Sequence, residues 1–266
     1  GDCYRAEQPV IWCTKHQTAL AQAEVEDKQR TTKLNYILFD CNNKKIEIAT
    51  TRPELLSSCV GIFVNPHDKR YKDLVGKKAV VPLFNYEVPI MQDEKVDINF
   101  GTGIVMVCDF GDTTDIEWWK KHKLPLKISI TVEGKLNENA GKYQGLDLTE
   151  ARESILQDLE KEKRLIKQEI LQQTVGSCWR CGTPVEFLVV KQWFIHTLKY
   201  KKELIDYGRK IKWHPNFMRI RYEDWVKNLN WDWCISRQRF YGVPIPVWYC
   251  KKCGKEILPD EKDLPI

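Results

Sequence analysis

Between residues 34 and 131 the chain repeats one pattern: short apolar runs of strand length, each cut off by Pro, Gly, Asn or Asp. Residues 34–40 and 45–50 alternate at period two, and Asn42-Asn43 stands between them as a hairpin turn. Residues 60–64, 79–83, 87–91, 104–107 and 126–131 continue the series. Strands this short and this closely spaced favour a closed or strongly curved sheet over a parallel array with crossover helices. Helices are expected to intrude at 112–122 and after Pro53.

Outside this region the signals change. Residues 147–165 predict the clearest helix: Asp147 as N-cap, Glu150 closing a capping box, and Ala151, Ile155, Leu156 and Leu159 as its apolar stripe. Residues 23–33 are charged and polar and read as an exposed connection, while 192–230 read as helical and basic with a break at Pro215. Residues 231–247 combine aromatics and Arg and end in two prolines, too rigid a pattern for a solvated linker.

The run from Phe100 to Asp115 carries the first chemistry. Gly101 and Gly103 mark a turn, residues 104–107 a buried strand, and Asp109, Gly111 and Asp112 a second break. Asp112 and Asp115 lie three apart at a helix start, so both carboxylates share one face near the positive end of the dipole. Taken alone, the run is equally well an Asp-capped helix with no chemistry.

Ten cysteines without a basic-then-apolar leader argue for metal or free thiols rather than a disulfide framework. Cys3, Cys41, Cys59, Cys108 and Cys234 have no ligand-like spacing and read as free, mostly buried thiols. Cys178-Trp179-Arg180-Cys181-Gly182 is a knuckle turn, Cys250-Lys251-Lys252-Cys253-Gly254 is a second copy, and Cys13 and His16 form a third pair. One tetrahedral ion takes two pairs, so one pair is left over. Residues 191–255 hold 15 Lys/Arg against 5 Asp/Glu together with six of the ten Trp, which suits a polyanion-facing surface as well as a solvated helix with a Trp core. No apolar run approaches the roughly 20 residues that span a bilayer. The chain starts at Gly1 rather than Met and ends at Ile266 without a capping element, and is expected to be a fragment of a longer polypeptide.

Taken together, Thr50-Thr51-Arg52-Pro53-Glu54, Phe100-Gly101-Thr102-Gly103 and Asp112-Thr113-Thr114-Asp115 resemble the inserted editing domain of class I valyl-, isoleucyl- and leucyl-tRNA synthetases. Asp232-Trp233-Cys234-Ile235-Ser236-Arg237-Gln238-Arg239, followed by Gly242-Val243-Pro244-Ile245-Pro246, is similar to the segment where such chains re-enter the synthetic domain. Glu54 after the proline, and the Cys234–Arg239 phrase, are valyl-type features. Residues 105–112 resemble archaeal or eukaryote-like members more than bacterial ones. Bacterial valyl relatives carry Lys where Met106 stands and Thr where Cys108 stands.

The resemblance implies an α+β fold: a distorted β-barrel editing domain with flanking helices on a zinc-ribbon stalk. Residues 1–30 would be the first half of the stalk, 31–172 the barrel, 173–230 the second half of the stalk with the basic helical region, and 231–266 the return segment. Cys13, His16, Cys178 and Cys181 would close one structural Zn2+ site; the competing pairing joins Cys178 and Cys181 to Cys250 and Cys253, which are otherwise a half-site with partners beyond Ile266. The implied reaction is hydrolysis of threonine from a mischarged tRNA(Val) 3′ end. Asp115 and Asp112 would be catalytic, and Thr50, Thr51, Arg52, Phe100, Thr102 and Asp115 would bind substrate. A synthetic site rejects a nearly isosteric hydroxyl by only about 100-fold, which is why a second, polar pocket is needed. Other implied partners are the tRNA and the remainder of the synthetase; the ATP-dependent activating site would lie outside these residues, no membrane is involved, and the location is cytoplasmic. Three alternatives share the same motifs: an isoleucyl-type editing domain, a non-catalytic zinc-ribbon tRNA-binding module, and a structural insert that has lost activity, to which Met106 points.

Overall fold

The computed structural model describes residues 1–42, 44–108 and 110–263. In chain order its strands are β1 (Cys3–Cys13), β2 (Thr18–Leu20), β3 (Val25–Cys41), β4 (Lys44–Thr50), β5 (Gly61–Val64), β6 (Lys78–Val80), β7 (Glu87–Gln92), β8 (Ile104–Val107), β9 (Leu165–Cys178), β10 (Glu186–Ile195), β11 (Trp233–Cys234), β12 (Trp248–Tyr249) and β13 (Glu256–Ile257). The α-helices are α1 (Thr113–His122), α2 (Leu148–Lys161), α3 (Lys201–Lys210) and α4 (Met218–Lys227).

The short strands form one sheet in the order β4-β3-β6-β7-β5-β8, with β9 also pairing to β3. Every pairing is antiparallel except β5 with β7. The sheet curls until its end strands, β4 and β8, lie beside one another, with no ladder joining them among the described residues. The expected closed or curved sheet is thus present as a curled half-barrel in an α+β chain. Alternation explains it: Ile37, Phe39, Ile46, Ile48, Ile62, Val64, Ile104 and Met106 point into one core.

Helix α2 covers this core with the expected stripe, Ala151, Ile155 and Leu159, all fully buried. The capping box is formed as predicted: Asp147 Oδ1 accepts from Thr149 N at 2.8 Å and Glu150 N at 3.0 Å. The region after Pro53 is a 3-10 turn over Pro53–Ser58 rather than an α-helix. Asn42 takes the positive φ of a hairpin turn; Asn43 and Asp109 lie outside the described residues.

Three expectations need correction. Residues 23–33 are not a loop connection: from Val25 onward they are the first half of β3, paired with β9 from Val25–Cys178 to Ile37–Leu165. This ribbon is polar on both faces, so no apolar alternation announces it; cross-strand pairs such as Gln29–Thr174 and Gln172–Thr31, both at 2.7 Å, support it instead. Residues 126–131 form only an isolated bridge between Ile130 and Leu136, because the Asn137 and Asn139 side-chain amides donate to Ile128 O at 2.8 and 2.6 Å where a neighbouring strand would. The 192–230 region begins as strand β10 and becomes helical only at α3 and α4, with Pro215 between them.

A second sheet, β11-β10-β1-β2, stands at the far end of the ribbon. Its Val10, Trp12, Leu188 and Phe194 belong to the same apolar core as the curled sheet. Trp12 Nε1 donates to Val132 O at 2.9 Å, tying the two sheets together. No helix among the described residues is long and apolar enough to cross a membrane.

Candidate functional site

Three separate pieces of sequence converge at the end of β4. Thr50 ends that strand, and its Oγ1 accepts from Arg52 N at 3.0 Å, which turns the chain into the Pro53–Ser58 helix. Beside it runs the turn before β8. Gly101 has φ +57°, and a Cβ there would sit 2.8 Å from Ala49 Cβ, so glycine lets the two backbones approach. The third piece is the start of α1. A Cβ on Gly111 would lie 3.0 Å from Asp115 Oδ2 and 3.5 Å from Leu55 Cδ1, which places the Arg52–Leu55 turn against Asp115.

Asp112 and Asp115 sit on one helix end as their spacing requires, but with different jobs. Asp112 is exposed and is the N-cap: its Oδ1 accepts from Thr114 N at 2.7 Å and Asp115 N at 3.1 Å. Asp115 is buried, and its Oδ2 accepts from Gly111 N at 2.8 Å. Burial, and then the neighbouring Asp112 charge, push the Asp115 carboxyl well above the usual carboxylate range; the Gly111 and Asp112 amides and the Arg52 charge pull the other way. A buried carboxylic acid of raised pKa is ready to take a proton or to ionise against an incoming cation.

Arg52 is largely buried and its fork is engaged. Nε lies 3.0 Å from Glu54 Oε1 and Nη2 lies 2.9 Å from Glu186 Oε2. Glu54, fully buried, also takes Arg152 Nε at 2.9 Å and Nη2 at 2.7 Å. Burial works against Glu54 ionising, yet the two guanidinium groups hold its carboxyl below the usual range. Sequence reasoning missed this four-residue cluster: Glu54 was legible only as a family feature, while Arg152 and Glu186 are far away in sequence and carry no local signal.

The remaining predicted residues surround this centre. Thr51 is partly exposed, and Phe100 is half-exposed at the rim of the glycine turn. Thr102 gives its carbonyl to Tyr71 Oη at 2.6 Å, while its own Oγ1 is buried without a hydrogen-bond partner among the described residues. Met106 is buried on β8 opposite Ile62 and offers neither a charge nor a hydrogen-bond donor.

At the end of the β3–β9 ribbon, Cys13, His16, Cys178 and Cys181 bring four ligand atoms within 4.8 Å of one another. Cys13 Sγ is 3.5 Å from His16 Nδ1 and 3.6 Å from Cys181 Sγ, and Cys178 Sγ is 3.8 Å from His16 Nδ1. Thiolates about 2.3 Å and an imidazole about 2.0–2.1 Å from a tetrahedral ion stand at about these separations from one another. Gly182 at φ +67° lets the knuckle curl, with its N–H donating to Cys178 O at 2.8 Å. Burial pushes the Cys13 thiol up to about 11. Burial also opposes ionisation of Cys181, but hydrogen bonds from Thr183 hold that thiol down to about 7. The cluster can therefore hold a metal ion, and it selects the Cys13/His16 pairing over the Cys250/Cys253 one. Cys250 and Cys253 form a separate turn in the β12–β13 hairpin, and no third ligand joins them among the described residues. Among the described residues none of the five cysteines without ligand spacing is in a disulfide, and all but Cys3 are buried.

Residues 1–264 match the family model described as tRNA synthetases class I (I, L, M and V). A valine–tRNA ligase of Thermoplasma volcanium is 52% identical over 263 residues, covering 99% of this chain and 33% of that protein. One from Methanocaldococcus jannaschii is 52% identical over 268 residues, covering 100% of this chain and 30% of that protein. The chain thus spans about a third of the length of the curated relatives it matches. A solved LeuRS–tRNA–LeuAMS ternary complex from Agrobacterium radiobacter K84 aligns at 17% identity over 100% of this chain and 35% of that one, with a TM-score of 0.41, too low to establish a shared fold.

Proposed function

This chain belongs to the class I tRNA synthetases of the I, L, M and V group, and on that premise we propose that it is the editing part of a valyl-tRNA synthetase, hydrolysing threonine from mischarged tRNA(Val). The observation that carries the reading is Asp115: a buried carboxyl, pushed toward its neutral form, at a helix N-terminus beside the Thr50–Arg52 turn. The α-ammonium of an aminoacyl ester is the partner such a group lacks. Binding it would draw Asp115 into its ionised form by direct charge pairing. The valine–tRNA ligase relatives support the valyl assignment over the isoleucyl one.

In this reading Thr50, Thr51 and the unpaired hydroxyl of Thr102 bond the threonine side chain or the ribose. A pocket that hydrogen-bonds the hydroxyl discriminates against valine, because valine would leave buried polar groups unpaired. Phe100, half-exposed, stacks on the terminal base. Asp112 fixes the helix end and, by its charge, tunes Asp115. Arg52, gripped by two carboxylates, contributes its field and holds the turn; a phosphate would have to share it with Glu54 and Glu186. The nucleophile is a water positioned by Asp115 and the substrate ribose.

The Cys13/His16/Cys178/Cys181 cluster is proposed to bind structural zinc, all four positions being taken by protein ligands. It would clamp residues 1–30 and 173–230 into one stalk carrying the 31–172 barrel, with 231–266 returning toward the synthetic part. The partners are the tRNA 3′ end and the rest of the synthetase. The test is deacylation of Thr-tRNA(Val) by the wild type and by Asp115→Ala, with Val-tRNA(Ile) as the comparison substrate. Loss of Thr-tRNA(Val) hydrolysis with tRNA binding retained is the expected result. Hydrolysis by the wild type no faster than the spontaneous rate, with tRNA binding retained, would leave a non-catalytic tRNA-binding module, and hydrolysis above that rate but unchanged in Asp115→Ala would remove Asp115 from the reaction.

A further inference from the structure

Glu186 does not belong to the half-barrel. It is the first residue of β10, paired across the second sheet with Trp12, the neighbour of metal-cluster residue Cys13. Its side chain nonetheless reaches the Thr50–Arg52 turn: Oε2 lies 2.9 Å from Arg52 Nη2, and the residue is 5% exposed. The same sheet touches the barrel twice more. Trp12 Nε1 donates to Val132 O at 2.9 Å, and Thr14, inside the Cys13–His16 loop, packs where a Cβ on Gly134 would come within 2.8 Å. The sheet carrying the Cys/His cluster is therefore joined to the proposed editing pocket by one buried charge pair, and to the 132–134 turn by one hydrogen bond and one packing contact.

We propose that Glu186 is a positioning residue for the editing reaction, acting through Arg52 to hold the Thr50–Arg52 turn and its charge in place from the stalk side. The proposal rests on the editing function argued above. The mechanical route is short. Glu54 lies on the same turn as Arg52 and, through Arg152, ties that turn to helix α2. Glu186 belongs to a different sheet, β11-β10-β1-β2, and ties the turn to that side. The Arg52 amide in turn donates to Thr50 Oγ1 at 3.0 Å, so where Arg52 sits decides where the Thr50 hydroxyl points. The Arg52 charge also acts on Asp115. Without Glu186 the guanidinium keeps only its Glu54 contact at 3.0 Å and loses its hold on the second sheet, so the turn can shift and carry both the threonine-binding hydroxyl and the field at Asp115 off their settings. Misplacement of reacting groups by about 1 Å can cost on the order of 100-fold in rate.

The experiment compares wild type, Glu186→Gln and Asp115→Asn in the full synthetase chain, measuring kcat and KM for Thr-tRNA(Val) deacylation, valine attachment, and the thermal midpoint. Expected for Glu186→Gln is a fall in deacylation kcat of about 10- to 100-fold, with KM within about twofold and valine attachment unchanged. Wild-type deacylation in Glu186→Gln while Asp115→Asn is inactive overturns the positioning role and leaves the editing reading standing. A parallel fall of deacylation, valine attachment and thermal midpoint marks a purely structural role and also overturns it. Absence of Thr-tRNA(Val) deacylation in the wild type overturns the editing reading, and the positioning role with it; full activity in Asp115→Asn overturns the part of the positioning role that runs through the field at Asp115. If Glu186→Gln does not fold, Glu186→Asp retains the charge but withdraws it. A selective loss of deacylation kcat in that variant supports the proposal, and wild-type kcat overturns it.

Discussion

Replacing Glu54 by Ala tests the charge cluster that underlies the whole site. Glu54 is fully buried and takes three short contacts, from Arg52 Nε at 3.0 Å and from Arg152 Nε and Nη2 at 2.9 and 2.7 Å. Removing one partner of a buried ion pair costs about 3–5 kcal/mol, mostly because the charge left behind has lost its compensation. Two features of this cluster point to the lower end. Arg52 keeps Glu186 at 2.9 Å, and the Arg152 side chain is 38% exposed and can turn toward water. The expected loss is therefore about 3 kcal/mol, read by equilibrium urea unfolding of this chain. The loss should also depend on pH in a defined direction. The Glu54 carboxyl is held below its ordinary range in the folded state, despite burial, by Arg152 and Arg52. Its stabilising contribution is present above the unfolded value of about 4.3 and is lost as pH falls from there through the folded value. The gap between wild type and variant should be constant near neutrality and narrow below about pH 4. A loss under about 1 kcal/mol, or a gap that does not narrow in acid, would refute the cluster as the anchor of the turn.

Asp115→Asn should gain thermal stability at neutral pH while losing deacylation. The folded Asp115 carboxyl is raised, so its ionised form is penalised above the unfolded value of about 3.9, and the gain should vanish as pH falls toward that value; a destabilised Asp115→Asn at pH 7 contradicts the burial argument. The wild-type deacylation rate should fall on acidification at a pH above the ordinary carboxylate range, and a flat profile down to pH 4 would mean that Asp115 need not ionise. Metal measured after denaturation should be one ion per chain, lost in Cys13→Ala and retained in Cys250→Ala; the reverse would restore the Cys250/Cys253 pairing. Gly103→Ala should cost about 1–3 kcal/mol, since φ is +78° and a Cβ would fall 2.5 Å from Arg70 Nη2 and 2.9 Å from Ile98 O; a variant as stable as wild type by urea unfolding would show that the turn can relax.

Much of the half-barrel was readable in advance because its strands obey a local rule. Phe39, Ile46 and Ile48 alternate with exposed or partly exposed neighbours, and a period of two is visible within a few residues. Helix α2 was readable for the same reason, its cap and apolar stripe lying within one short segment. The β3–β9 ribbon was not, because a strand pair polar on both faces has no burial pattern and is specified only by a partner over 100 residues away. Residues 126–131 misled in the opposite way: they have strand-like composition, but the Asn137 and Asn139 amides satisfy the backbone first.

The candidate site divides along the same line. Sequence by itself determined which residue types were available: a Thr-Thr-Arg-Pro-Glu turn, a glycine turn, two carboxylates one helical turn apart, and three pairs of metal-binding side chains. It also determined that Asp112 and Asp115 would share a helix end, since i and i+3 always do. Only the tertiary structure decided that Asp112 stays in solvent as a cap while Asp115 is buried, because burial depends on the turn that carries Leu55 arriving from elsewhere. It alone decided that Cys13 and His16 meet Cys178 and Cys181, and that Arg52 is held from the second sheet by Glu186. The physical reason is range. Turn and helix geometry act over a few residues, whereas desolvation and charge pairing depend on whatever the folded chain places within a few ångströms.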